Sequence, residues 1–194
     1  MPGAVTLNTR KIVVLGSRSV GKSSLVKQFV EGHYSDVYYP NTESSANKVI
    51  TYNGTEFPCE LIDTAGQDEF SQLNSRYAIG IHGYVLVYSI ASRASFEMVQ
   101  IIYDKIVDYC GLRTVPAVIV GAKADLNACR QVDAMDGARL AHANGAAWIE
   151  ASALRDENVG KAFELCLAEI ERGTAGAAAP PAPPDAPGGK CVVM

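Results

Sequence analysis

Apolar and polar positions alternate along this chain in a way that switches repeatedly between two periods. Ile12–Leu15 is a short β-branched run closed by Gly16, and Leu25, Val26, Phe29 and Val30 then recur at helical spacing. Val49–Tyr52 and Phe57–Ile62 flank Asn53-Gly54, a strong hairpin signal, with Pro58 near the start of the second strand, where a missing donor does least harm. Tyr84–Ile90 is almost continuously apolar and so reads as a strand buried on both faces. Phe96, Val99, Ile102, Tyr103, Ile106 and Cys110 trace a helical stripe, and Val115–Val120 is a second buried strand that carries Pro116 at its beginning. A helix from about Val132 to Ala143 and a short strand, Ala147–Glu150, follow. Val159, Phe163, Cys166, Leu167 and Ile170 give the last helix one apolar face.

Strands alternating with helices mean βαβ units, hence an α/β fold: a mostly parallel sheet with helices on both faces and one antiparallel edge strand from the hairpin. Length allows one ordinary domain. Residues 1–9 read as a flexible N-terminus and 10–172 as the folded domain. From 173 onward the composition turns to Gly, Ala and Pro, which predicts a disordered tail over 173–194.

Charge and cysteine content narrow the function classes. A formal charge of −4 without clustered Lys and Arg argues against a nucleic-acid binder, because phosphate neutralisation needs such clusters. The five cysteines, Cys59, Cys110, Cys129, Cys166 and Cys191, form no C-x-x-C pair, and three dispersed histidines lack metal-ligand spacing. Four of the thiols read as structural in a reducing compartment. No run approaches the roughly 20 apolar residues a membrane helix needs.

Chemistry enters with G-S-R-S-V-G-K-S, Gly16 to Ser23, which matches G-x-x-x-x-G-K-[ST] between a strand and a helix. Its glycines permit a tight loop whose N–H groups (Ser19, Val20, Gly21, with Ser24 beyond) wrap phosphate. Lys22 reaches the β- and γ-phosphates, and the Ser23 hydroxyl can join Mg²⁺. Past the hairpin, L-I-D-T-A-G-Q places Asp63 at a strand end to support Mg²⁺, Gly66 to offer an N–H to a γ-phosphate, and Gln67 to orient an attacking water.

In this order the two motifs resemble the small GTPases of the Ras family. R-S-V-G-K-S-S-L, Q-F-V-E-G, D-T-A-G-Q-D-E-F and G-Y-V-L-V-Y-S are similar to its Rheb branch, over roughly residues 10–172. The resemblance implies a phosphate-loop G domain of strand order 2-3-1-4-5-6, with guanine nucleotide, GTP or GDP, at the carboxyl ends of the strands. A-K-A-D resembles the family's Asn-Lys-x-Asp base motif. Asp125 would accept from the guanine ring N–H and amino group, Lys123 would cover the ring face, and Ser152 and Ala153 of E-A-S-A would form a second base loop. The first switch would bring Ser35, Val37, Tyr38 and Asn41 to the nucleotide. Gln67, Tyr38 and Arg18 would act in hydrolysis, and Ser23, Asn41 and Asp63 around Mg²⁺.

Several positions depart from that pattern. Ala122 stands where the family has the asparagine that bonds the base and braces the phosphate loop. Leu154 replaces a lysine, Ala46 a phenylalanine, and Asn41 the threonine that meets Mg²⁺ and the γ-phosphate. Guanine preference survives Ala122 in this reading: adenine would present Asp125 with an acceptor where a donor is needed, at a cost of about 1–3 kcal/mol. Faster nucleotide release is expected. Asn41 is long for the near-ideal octahedron of Mg²⁺, and Thr42 beside it is the alternative ligand. Arg18 is either a solvated side chain or a group crowding Gln67, and either Tyr38 covers the phosphates or Tyr34, Tyr38 and Tyr39 together pack. Asp68 and Glu69 read as a solvated stretch of the second switch.

The end, K-C-V-V-M, is a C-a-a-X farnesylation pattern on Cys191. Only Lys190 is basic nearby, so the anchor should be weak, on the cytoplasmic face of endomembranes with a cytosolic pool. The expectation is a monomeric, farnesylated, slow GTPase that meets a prenyltransferase, a tuberous-sclerosis-type activating protein and the TOR kinase complex. The alternative is a pseudo-GTPase, a tethered binding module that has lost switching.

Overall fold

The computed structural model describes residues 9–34, 43–68, 77 and 79–177. Among the described residues, six strands form a single sheet in the order β2-β3-β1-β4-β5-β6. They are β1 (Arg10–Gly16), β2 (Ser44–Tyr52), β3 (Thr55–Asp63), β4 (Gly83–Ser89), β5 (Ala117–Ala122) and β6 (Ala147–Ala151). The helices are α1 (Lys22–Glu31), α2 (Arg93–Cys110), α3 (Ala134–Ala143) and α4 (Val159–Ala177), with a 3₁₀ turn over Ala124–Cys129. Among the described strands only the β2–β3 hairpin is antiparallel; β1 pairs in parallel with β3 and β4, and β5 with β4 and β6. This is the topology and strand order expected of the family.

Side-chain alternation on the central strands divides the core in two. Ile12 and Val14 of β1 face a layer made with Leu25 and Val26 of α1 and Val159, Phe163, Cys166 and Leu167 of α4. Val13 and Leu15 face the other layer, with Phe96, Val99, Ile102 and Ile106 of α2 and Ala141 of α3. All seven residues of β4 are buried, as a strand covered on both faces must be. The four cysteines among the described residues are free thiols; burial pushes Cys59 up to about 11 and Cys166 higher still, so neither supplies a thiolate at neutral pH.

The structure moves several expected boundaries. β2 begins at Ser44, five residues before the apolar run: Ser44–Lys48 pair with Cys59–Asp63, and the neighbouring strand supplies an order that their own polarity does not signal. β5 starts at Ala117, with Pro116 contributing only its carbonyl, to Tyr84 N–H (2.9 Å). Asp133 caps α3, accepting from Met135 N–H, so that helix starts at Ala134. The largest correction is α4, which runs to Ala177 and takes in residues 173–177 of the expected tail. Alanine is the best helix former, and the Thr174 hydroxyl donates to the Ile170 and Glu171 carbonyls. Residues 178–194, with Cys191, lie outside the described residues, as do residues 1–8.

Candidate functional site

At the carboxyl end of β1 the chain turns sharply at Gly16, whose φ of 151° lies in a region L side chains avoid. A Cβ there would lie 2.2 Å from the Val87 carbonyl oxygen, so only glycine lets the loop leave the sheet here. The loop passes Ser17, Arg18, Ser19 and Val20 and re-enters structure at Gly21, the N-terminal residue flanking α1. No side chain caps α1, so its first N–H groups and its dipole are turned to the loop. Lys22 is buried, 5% exposed, and its ammonium folds back to donate to the carbonyls of Gly16 (3.1 Å) and Ser17 (2.8 Å). Burial lowers its pKa to about 8, opposed by the nearby Asp63 carboxylate.

Asp63 closes β3 beside this loop. Burial pushes its carboxyl above the ordinary range, opposed by a hydrogen bond with Ser23 and by Lys22 and Lys27. A hydroxyl and a carboxylate already in contact, both oxygen donors, fit a small hard cation such as Mg²⁺. Ser23 and Asp63 would hold it; Asn41 lies outside the described residues, and so do Ser35, Val37 and Tyr38.

The segment after Asp63 docks on the phosphate loop through its backbone. Thr64, fully buried, donates its hydroxyl to the Val14 carbonyl (2.8 Å), and Gln67 N–H donates to Gly16 O (3.0 Å). Gly66 is pressed on Arg18: a Cβ at 66 would lie 2.3–2.6 Å from Arg18 Cγ, Cα and N. Arg18 thus sits against Gly66, the residue before Gln67 in the second switch. The Gln67 side chain turns to its own segment, donating to Ala65 O (3.4 Å).

Across the mouth of the sheet, β5 delivers Ala122 and Lys123. Lys123 takes φ 63°, and its ammonium donates to Ser19 O at 2.7 Å, where Ser19 itself has φ 58°. Two non-glycine residues in the left-handed region, hydrogen-bonded to each other, mark strain held in place by the site. The phosphate loop therefore keeps one brace to the base loop without the expected asparagine. Ser152, fully buried, donates to Asp125 Oδ1 (2.5 Å) and accepts from Arg155 N–H (3.2 Å), which fixes the carboxylate. A bidentate fork from Arg130 to Glu150 (2.6 and 2.8 Å) ties the turn after Asp125 to β6.

Between these loops lies a cavity of about 250 Å³, bounded by Gly21, Leu25, Ala122, Lys123, Asp125 and Ala153, with Tyr34 and the half-exposed Leu154 at its rim. The Asp125 carboxylate, in a slot lined also by Lys123 and Ser24, suits a planar ring that offers paired N–H donors. The structure brings together Arg18, Ser19, Val20, Gly21, Lys22, Ser23, Asp63, Gly66 and Gln67 on the phosphate side, and Ala122, Lys123, Asp125, Ser152 and Ala153 on the base side. The sequence reading missed Thr64, the Ser17 carbonyl and the Arg130–Glu150 fork. D-T-A-G held a signal for the first, whereas the others are side-chain geometry across loops.

Comparison with known proteins agrees with this geometry. A sequence model of the Ras family matches residues 11–172. The chain is 54% identical to the GTP-binding protein rhb1 of Schizosaccharomyces pombe, across 96% of this chain and 98% of that one. It is 50% identical to the small monomeric GTPase RhbA of Aspergillus fumigatus (95% and 96% of the two chains) and 44% identical to the human GTP-binding protein Rheb (84% and 89%). The chain belongs to the Ras family and is a Rheb-like small GTPase.

Proposed function

We propose that this protein is a guanine-nucleotide switch that binds GTP and GDP with Mg²⁺, hydrolyses GTP slowly, and works at a membrane through a farnesyl group on Cys191. One observation carries the reading. The ammoniums of Lys22 and Lys123 both bond to carbonyls of one phosphate loop, Lys22 to Gly16 and Ser17 and Lys123 to Ser19, while Asp125 lines a slot between the loops. Lys22 and the N–H groups of Ser19–Ser24 would take the phosphates, and Ser23 and Asp63 the cation, which when bound offsets charge that develops on the phosphates. Slow hydrolysis is consistent with Gln67, whose amide donates to Ala65 O, and with Arg18 pressed on the neighbouring Gly66. By its resemblance to the Rheb branch it would act in growth control, with the TOR kinase complex as effector and a tuberous-sclerosis-type protein as activator of hydrolysis. A prenyltransferase would act on the terminal C-V-V-M, placing a monomer reversibly on the cytoplasmic face of endomembranes.

The deciding experiment is release and identification of nucleotide from purified protein, followed by exchange timed with Mg²⁺ and with chelator. Stoichiometric GDP or GTP that exchanges faster after chelation is the expected result. A folded protein that is empty and takes up neither nucleotide would overturn the proposal and leave the pseudo-GTPase.

A further inference from the structure

Most of the large apolar side chains left in the open among the described residues fall at two places. Tyr34, Leu126 and Leu154 border the nucleotide slot. Ile79 (78% exposed), Tyr109 and Leu112 (55% each) lie at the other end of the sheet, where the parallel strands begin; the remaining two are Val49 of β2 and Met135 of α3. Tyr84, near the start of β4, ties this end together: its hydroxyl meets Cys110 Sγ at 3.6 Å, and its N–H donates to Pro116 O at 2.9 Å. Ile79 comes four residues before β4, and Tyr109 and Leu112 straddle the end of α2. There Gly111 turns at φ 62° and Leu112 N–H donates to Val107 O (3.3 Å), a helix ending that ordinarily lays the residue after the glycine back on the helix. Leu112 nevertheless stays half out in solvent.

The last helix delivers the rest of the chain to the same place. A Cβ on Gly173 of α4 would lie 3.7 Å from Pro116 Cγ, and Arg172 donates to Gly145 O (3.3 Å), where a Cβ on Gly145 would lie 3.9 Å from Thr114 Cγ2. The last turns of α4 therefore border the 111–116 loop that carries Leu112. From Ala177 to Cys191 is 14 residues, mostly Ala, Pro and Gly, with Asp185 as the one charge before Lys190. Even as a polyproline helix, at about 3.1 Å per residue, that length reaches about 43 Å. A seven-residue strand such as β1 is only about 23 Å long, so Cys191 can reach any point at this end of the sheet. A group so tethered meets its own domain at an effective concentration on the order of millimolar. A single lipid chain holds a bilayer only marginally and reversibly, so an exposed apolar surface this close competes with the membrane for it.

We infer that the surface formed by Tyr109 and Leu112 at the end of α2, with Ile79 at the same end of the sheet, is the docking site of the farnesylated Cys191 of this same chain when the protein is off the membrane. The inference rests on the farnesyl reading above and deepens it, naming what covers the lipid in the cytosolic pool.

The test uses the full chain, farnesylated by a purified prenyltransferase or left unmodified, and phosphatidylcholine vesicles, with partition read by sedimentation. Tyr109→Gln with Leu112→Gln removes the apolar surface, and because both side chains are half exposed the melting temperature should hold. The ratio of bound to free farnesylated protein should rise by about fivefold in the double variant, while the unmodified chains stay free. An unchanged ratio would overturn the inference. So would a fall, which would give Tyr109 and Leu112 to the bilayer instead. Hydrogen exchange without vesicles needs no variant: farnesylation of the native chain should slow exchange around residues 109–114 severalfold, and equal exchange would again overturn the inference. Either failure in a farnesylated chain leaves the anchor reading standing, whereas a chain that the prenyltransferase does not modify sinks both.

Discussion

At the scale of single residues, Lys123 has the most to hold. Its left-handed backbone costs roughly 1–2 kcal/mol for an L residue with a full side chain, and what it gains is the bond from Nζ to Ser19 O. With alanine at 122, this is the hydrogen bond from the base loop to the phosphate loop that the structure displays. Lys123→Met keeps the apolar stem over the slot and removes only the donor. A charge-assisted bond is worth roughly 1.5–3 kcal/mol when buried, less at this partly exposed place. Nucleotide release should therefore quicken by about tenfold, read by stopped-flow loss of a fluorescent GDP, with little change in melting temperature of the nucleotide-free protein. An unchanged rate would mean that the loops are coupled only through the bound nucleotide.

At the scale of elements, α3 shows how packing overrules propensity. Gly137 lies inside the helix, where alanine would ordinarily gain about 0.8–1 kcal/mol. Here a Cβ would lie 2.3 Å from Trp148 Nε1 and 2.4 Å from the Tyr88 hydroxyl, a pair themselves joined by a hydrogen bond of 3.3 Å. Tyr88 is fully buried and packs edge-on against Phe96 of α2, so it has nowhere to retreat. Overpacking of this kind costs about 1–3 kcal/mol and outweighs the helix gain. Gly137→Ala should thus lower the urea midpoint, not raise it; a raised midpoint would show that α3 can lift from β6 at no cost. The same contrast explains what could be read beforehand. The periods of β1, β4 and the four helices, the hairpin at Asn53-Gly54 and the phosphate loop are local patterns, and they were legible. Ser44–Lys48 became a strand because β3 lies beside it, and residues 173–177 became helix because α4 was already under way, so neither carries its own signal. In the site, residue types at fixed spacing were legible, while the contact of Arg18 with Gly66 and the fork from Arg130 to Glu150 depend on loops meeting in space.

At the scale of the whole molecule, the two ends of the sheet do different work. The carboxyl ends of β1, β5 and β6 carry the site; the opposite end is tied by ionic and histidine contacts that take no part in it. There Arg10 pairs with Glu171 of α4 at 2.9 Å, and His82 exchanges two bonds with Lys11: His82 N–H donates to Lys11 O, and Lys11 N–H donates to His82 Nδ1, each at 2.9 Å. An imidazole that accepts through Nδ1 is neutral at that nitrogen. Burial, and then the Arg10 and Lys11 charges, hold the His82 pKa below its usual 6.5, with Glu171 opposing. The folded state therefore binds fewer protons than the unfolded one between the lowered pKa and 6.5. Stability is full above 6.5 and declines as pH falls through that window, because protonation breaks the bond from Lys11 N–H. That bond from a backbone N–H to the imidazole is solvent-exposed, so its loss falls at the low end of about 0.5–1.5 kcal/mol, or roughly 1–3 °C of melting temperature for a domain of this size. His82→Gln keeps an acceptor that cannot be protonated. Between pH 7.5 and 5.5 its melting temperature should fall by a few degrees less than that of the native protein, while the two release nucleotide at the same rate at both pH values. Equal falls in melting temperature would remove His82 from the acid response. A change in release rate would show that the far end of the sheet is felt at the site, through β1, which the hydrogen-bond register makes continuous from Arg10 to Gly16.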